Sequence, residues 1–235
     1  MNTLFSHVCV VTMDERMSVW TDAFVGVTDG KISYLSKHAP EEKPDQIIDA
    51  TGMVLMPGLI NCHTHLPMQL LRGYADDLKL QEWLNDYIFP REDRLDGRCV
   101  RAATTLAVAE CLKFGVTSVS DMYYFCDDIC DVIAKSGMKA NISRGTSMFL
   151  GDDFDFEKFP ACQELVALKE KWHNYDGGRI KIEASIHAEY TSTYQLWDAL
   201  SEFCINEGIG MQVHVSETKL EHDQCVERYG LTPAQ

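Results

Sequence analysis

From Pro57 onward the chain alternates between short apolar runs and amphipathic stretches, and that rhythm restricts its fold more than any other feature. "GLINCHTH" reads as a strand, and "LKLQEWLNDYIFPRED" and "GRCVRAATTLAVAECLKFG" follow with helical periodicity, the second closing on Gly115. "VTSVSDMY", "MKANISRGT", "RIKIEASIHAEY" and "IGMQVHVSE" read as further strands. The helical runs "DDICDVIAKSG", "ACQELVALKEKWHN" and "STYQLWDALSEFCINEG" separate them. Strands alternating with helices imply a parallel sheet with crossover helices, an α/β fold. The count is about five strand-helix units, whereas a closed (β/α)8 TIM-like barrel needs eight and ~250 residues. A barrel would therefore stop part-way round within these 235 residues. A doubly wound open sheet would be complete at this length, but no glycine-rich phosphate turn follows the first strand. His63-Thr64-His65 stands in that place.

Residues 1–56 follow a different pattern. "VCVVT" and the pair within "AFVGVTDGKISYLS" are β-type runs, the latter joined at Asp29-Gly30, a strong hairpin signal. "QIIDATGMVLMPG" adds a short pair around Thr51-Gly52. The expected division is a small antiparallel sheet or β-sandwich segment over 1–56, and the first part of a barrel over 57–235.

A formal net charge of -15, from 36 acidic and 21 basic residues, argues against nucleic acid or an anionic membrane as the partner. The N-terminal stretch lacks the basic start and apolar core of a signal peptide. Nine cysteines without a Cys-x-x-Cys pair point to reduced thiols in a cytoplasmic protein.

Alternate residues of a strand share a face, so His63 and His65 present both rings to one side of the strand end. Two neutral imidazoles there are costly unless something binds them, and a divalent transition metal suits imidazole nitrogen. On spacing alone, two ordinary loop histidines remain an alternative. "MQVHVSETK" places His214 at the end of another apolar strand, where it can supply a third nitrogen, with Glu217 three residues on. Such a carboxylate can take a proton from a metal-activated water and pass it to a leaving group; it also fits the first turn of a helix. His187, in "ASIHAEYTS", reads either as a further ligand or substrate contact or as a core histidine satisfied by a carbonyl. His7, His38, His173 and His222 read as surface histidines. The Pro-Cys-x-x-Cys element of cytidine-deaminase-type zinc sites does not occur.

"MPGLINCHTHLPMQLLRG", "DMYY", "HAEYTS" and "VHVSET", in this order, resemble the metal-dependent amidohydrolase superfamily, and within it the 5-methylthioadenosine/S-adenosylhomocysteine deaminase branch. The resemblance implies a distorted TIM-like metal-dependent hydrolase barrel, apparently truncated, with one divalent metal, zinc before iron, held by His63, His65 and His214. It also implies Glu217 as the proton-shuttling acid. Trp83 and Glu92 would line the substrate pocket, Glu92 taking ribose hydroxyls. Arg144 and His187 would contact substrate. The implied activity is hydrolytic release of ammonia from an adenine nucleoside, in a homo-oligomer of the full-length protein. Two alternatives stay open: another amidohydrolase acting on a nitrogen heterocycle, of the triazine/chlorohydrolase or guanine or cytosine deaminase type, or a catalytically incomplete fragment.

Two departures from the family pattern bear on this. The loop after Arg144, "MFLGDDFDFEKF", is acidic and lacks the second arginine the family offers, which favours a neutral-tailed nucleoside. The remaining expected ligands, a histidine and an aspartate, would lie beyond Gln235, so the chain alone is expected to be inactive.

Overall fold

In a computed structural model, residues 1–149 and 154–235 are described. Of the acidic loop at 148–159, residues 150–153 lie outside the described residues. The chain divides into two compact units, Met1–Gly58 and Leu59–Gln235.

The first unit is a five-stranded sheet of β1 (Thr3–Val11), β2 (Val19–Thr28), β3 (Lys31–Ser36), β4 (Gln46–Asp49) and β5 (Val54–Leu55). β2 and β3 form the hairpin expected at Asp29-Gly30; both residues have positive φ, 49° and 74°, as a turn matched to strand twist demands. The expectation of a purely antiparallel sheet is corrected at the other edge, where β4 and β5 both pair with β1 in parallel. The segment after β3 carries the chain across to the free edge of β1, so the next strands run in the same direction as β1. Val8, Val10, Ala23, Val25 and Ala50 make its small core.

The second unit contains β6 (Leu59–Thr64), β7 (Val116–Tyr123), β8 (Lys139–Arg144), β9 (Ile180–Ala188) and β10 (Met211–His214), all parallel and adjacent in chain order. This is the strand-helix order of the first part of a (β/α) barrel. Long helices Gly97–Lys113, Cys126–Ser136, Pro160–Trp172 and Tyr194–Glu207 cross between β6 and β10, and Lys219–Tyr229 follows β10. Gly137, Gly208 and Gly230 end three of these five helices with φ of 78°, 64° and 69°, where a Cβ would be strained. Buried Ile129, Ile133, Ile142, Leu165, Ile182 and Leu200 join helices and sheet in one core.

The stretch expected as one helix over 78–93 is broken: Leu80–Glu82 is α-helical, Trp83–Ile88 is widened to a π-helical turn, and Phe89–Glu92 returns to α. Pro90 supplies the reason, since it has no N–H and its ring crowds the carbonyl one turn back. Among the described residues, no helix is long and apolar enough to cross a membrane.

Candidate metal centre and active site

β6 and β10 are the two outermost of the five strands. In a flat sheet, four strand spacings of ~4.8 Å would separate them by about 19 Å. The rings of His63 and His214 nevertheless have centroids 4.9 Å apart, so the sheet curls and its margins converge at the C-terminal strand ends. His65 completes the group, 5.5 Å from His63 and 5.2 Å from His214 between centroids. One nitrogen from each of the three lies within 4.8 Å of the others.

Local backbone irregularity helps to aim these rings. The β6–β7 pairing slips between Asn61 and Thr64, around His63, and the β9–β10 pairing slips between Val213 and His214. Such bulges redirect single side chains next to active sites. His65 sits just past β6, where its Nδ1–H donates to the Met122 carbonyl at 2.6 Å. That bond leaves Nε2 with the free lone pair, the usual arrangement of a ligating histidine. The next residue is held too: the Leu66 N–H donates at 2.6 Å to Oδ1 of Asp121, which is fully buried. Burial pushes the Asp121 carboxyl up to about 7, against the opposing effect of that hydrogen bond.

Burial favours the neutral form of His65, His214 and the neighbouring His187. Burial lowers His214 to about 4, with the imidazoles of His65, His187 and His63 adding to the effect. Burial likewise lowers His65, and the Met122 carbonyl opposes it. His187, whose ring centroid lies 5.3 Å from that of His214, is lowered to about 4 by burial and by His65. Its Nδ1 meets the Thr191 hydroxyl at 3.0 Å. Neutral imidazoles with directed lone pairs are the form a metal needs, so this donor set fits a zinc-like ion.

His63, His65, His187, His214, Glu217, Trp83 and Glu92 all line one cavity, together with apolar Met68, Leu80, Leu84, Ile88 and Phe89. Burial raises the Glu217 carboxyl, the nearby Glu221 carboxylate raises it further, and His63 works against both. Glu92 is also raised by burial, with the Tyr123 hydroxyl opposing. Arg144 lies apart from this group, in an adjoining cavity shared with Glu92 and Tyr124. There it forms an ion pair with Glu164 at 2.8 Å, stacks on the Tyr124 ring at 4.8 Å and donates to the Gly145 carbonyl.

Two histidines expected on the surface, His173 and His222, are partly buried. His173 is half-buried, and its Nδ1 accepts the Ile182 N–H at 3.1 Å; its polar sequence neighbours gave no sign of this because the partner strand is distant in the chain. Sequence reasoning also missed Asp121 and Glu221. Asp121 stood in the "DMYY" motif without an assigned role, whereas Glu221 stands at Thr-x-x-Glu capping spacing from Thr218.

A model of the amidohydrolase family matches residues 54–233. A 5-methylthioadenosine/S-adenosylhomocysteine deaminase of Thermoanaerobacter pseudethanolicus is 32% identical over 235 residues, covering 100% of this chain and 54% of the relative. A 5'-deoxyadenosine deaminase of Methanosarcina acetivorans is 36% identical over 228 residues, covering 97% and 52%. The solved structure of an adenosine deaminase from Xanthomonas campestris with bound zinc superposes with a TM-score of 0.88 at 29% identity, covering 99% of this chain and 53% of that one. The chain thus spans about half the length of the curated relatives it matches.

Proposed function

The chain belongs to the amidohydrolase family, and from that premise we propose that its activity is the hydrolytic deamination of an adenine nucleoside, with release of ammonia. The observation that carries this reading is the convergence of three histidine nitrogens within 4.8 Å in a cavity that Glu217 and Glu92 also line. The relatives named as deaminases of methylthioadenosine, S-adenosylhomocysteine and 5'-deoxyadenosine support it.

His63, His65 and His214 are the residues that would hold a divalent metal, zinc before iron. When bound, such an ion supplies the Lewis acidity that makes water a nucleophile at neutral pH. The groups of this chain take the following parts. The apolar wall of Trp83, Leu84, Ile88 and Phe89 accepts the flat base and excludes bulk water. Glu217, its carboxyl raised by burial and by Glu221, is suited to carry a proton between water and substrate. It takes a proton from the water that adds to C6 and delivers it to ring nitrogen N1. The remaining proton of the hydroxyl added at C6 then passes to the exocyclic nitrogen, the C6–N bond breaks, and ammonia leaves as C6 becomes a carbonyl. His187, neutral over the working range, offers its remaining ring nitrogen to substrate.

Glu92 accepts the ribose hydroxyls, a role that favours a nucleoside over a bare triazine or purine base. Arg144 bears on the 5' end. Its guanidinium is already engaged by Glu164, the Tyr124 face and the Gly145 carbonyl, which leaves little for a substrate carboxylate. A neutral 5' substituent is therefore preferred. The substrate is a small molecule, and the nine free cysteines agree with a reducing cytoplasm.

The test is to extend the chain by the C-terminal half that its longer relatives carry, load it with zinc, and follow the ultraviolet change from adenine to hypoxanthine with methylthioadenosine and S-adenosylhomocysteine. Turnover of the former in preference to the latter is expected. Glu217→Gln is expected to lower turnover by about 10³-fold or more while zinc content stays near one per chain. Turnover of a triazine with no change in either nucleoside would replace this reading.

A further inference from the structure

Between His214, at the end of β10, and the helix Lys219–Tyr229, the chain makes a tight turn through Val215, Ser216 and Glu217. Ser216 adopts φ of 53°, a left-handed conformation that a serine does not prefer by itself. The turn therefore needs an outside hold. Glu221, in the first turn of that helix and 2% exposed, supplies one. Its Oε1 accepts the Ser216 N–H at 3.1 Å and its Oε2 accepts the Glu217 N–H at 2.7 Å. Its own N–H donates to the Thr218 hydroxyl at 3.2 Å, tying the carboxylate to the helix cap. The far end of the helix is pinned as well, since Arg228 Nη2 donates at 2.7 Å to the Glu189 carboxylate after β9.

A buried carboxylate used for ordinary capping would reach back to the N-cap N–H. Glu221 reaches past Thr218 to the two residues before it, one of which is Glu217. The groups facing the Glu217 carboxyl are Glu221 from the same helix, His63 from β6 and Tyr190 from the turn after β9. Only Glu221 also binds the Glu217 backbone.

We propose that Glu221 is a positioning residue: its buried carboxylate clamps the Ser216–Glu217 turn and so fixes where the Glu217 side chain stands over the three-histidine centre. The proposal rests on the reading of Glu217 as the proton carrier. Misplacing such a group by about 1 Å costs on the order of 10²-fold in rate.

The experiment uses the same C-terminally extended, zinc-loaded protein and compares its wild type with Glu221→Ala and Glu221→Gln. Amide hydrogen exchange is read at Ser216 and Glu217, zinc affinity by titration, and kcat and KM with methylthioadenosine. In Glu221→Ala, exchange at those two amides should rise tenfold or more while β8 and β9 stay protected. Zinc affinity should stay within threefold, and kcat should fall about 100-fold with KM within threefold. Glu221→Gln keeps one acceptor oxygen and should fall between the two, which decides the matter if the alanine variant does not fold. Unchanged exchange at Ser216 and Glu217 would overturn the clamp, as would a kcat within threefold of wild type. So would loss of zinc in step with kcat, which marks a merely structural residue. A wild type that turns over no adenine nucleoside counts against the proposed function instead, and the exchange measurement then decides the clamp by itself.

Discussion

Within this stretch of about half the relatives' length, β9 and β6 belong to one parallel sheet and differ in burial. Along β9, Ile180, Ile182, Ala184, Ile186 and Ala188 are all 0% exposed, whereas on β6 Leu59 and Ile60 are 52% and 67% exposed. β9 needs no special device to hold its course, because covering helices and neighbouring strands fix it by packing. β6 and β10 carry the three candidate ligands on the sheet margins, and there packing is replaced by particular polar contacts. The Asp121 carboxyl holds the Leu66 N–H after His65, the Met122 carbonyl orients His65, and Glu221 holds the turn after His214. The centre of the sheet supplies stability, and its margins supply geometry.

If that division holds, variants at centre and margin should fail in different ways. Ile182→Ala should cost the most, about 3 kcal/mol of unfolding free energy in a denaturant titration, through lost burial and a residual cavity. Its zinc affinity, measured where the protein is still folded, should be nearly unchanged. His214→Ala should do the reverse, lowering zinc affinity by about 100-fold or more in calorimetric titration with less than about 1 kcal/mol lost from the metal-free protein. A large stability loss in that variant would break the comparison.

Asp121 tests the margin's polar contacts by pH. Its folded carboxyl is raised to about 7 from 3.8, so the unfolded chain releases this proton first as pH rises. The stability it contributes is present below about 4 and is lost as pH climbs through about 7. Asp121→Asn can still accept the Leu66 N–H, and it should gain on wild type between those limits, on the order of 1 kcal/mol. A difference independent of pH would mean the carboxyl is ionised throughout. The smallest effect belongs to the outer surface. Lys135→Ala removes an exposed pair with Asp131 and should shift unfolding by no more than about 0.5 kcal/mol, with zinc affinity untouched.

The same division explains what could be read in the sequence. The alternation of strand and helix from Pro57 on, and the glycine stops at Gly137, Gly208 and Gly230, are local signals and carried the architecture. His63, His65 and His214 were visible because each stands where an apolar run ends. The parallel pairing of β4 and β5 with β1 was not visible, since a strand's partner leaves no mark in its own residues. His173 and Asp121 were missed for that reason too: each meets a backbone group of an element 9 or more positions away. The broken helix over 78–93 was legible in principle, through Pro90.

Curling five strands until a side chain of the first reaches one of the last places an unusual demand on manufacture. Each of the four inter-strand gaps adds its own error, and a drift of only ~0.2 Å in each accumulates to about 0.8 Å between His63 and His214. Metal-ligand distances tolerate about 0.2 Å. The affinity of this centre is thus a gauge of dimensional accuracy across the entire sheet, and substitutions far from any imidazole can register there before they register in melting.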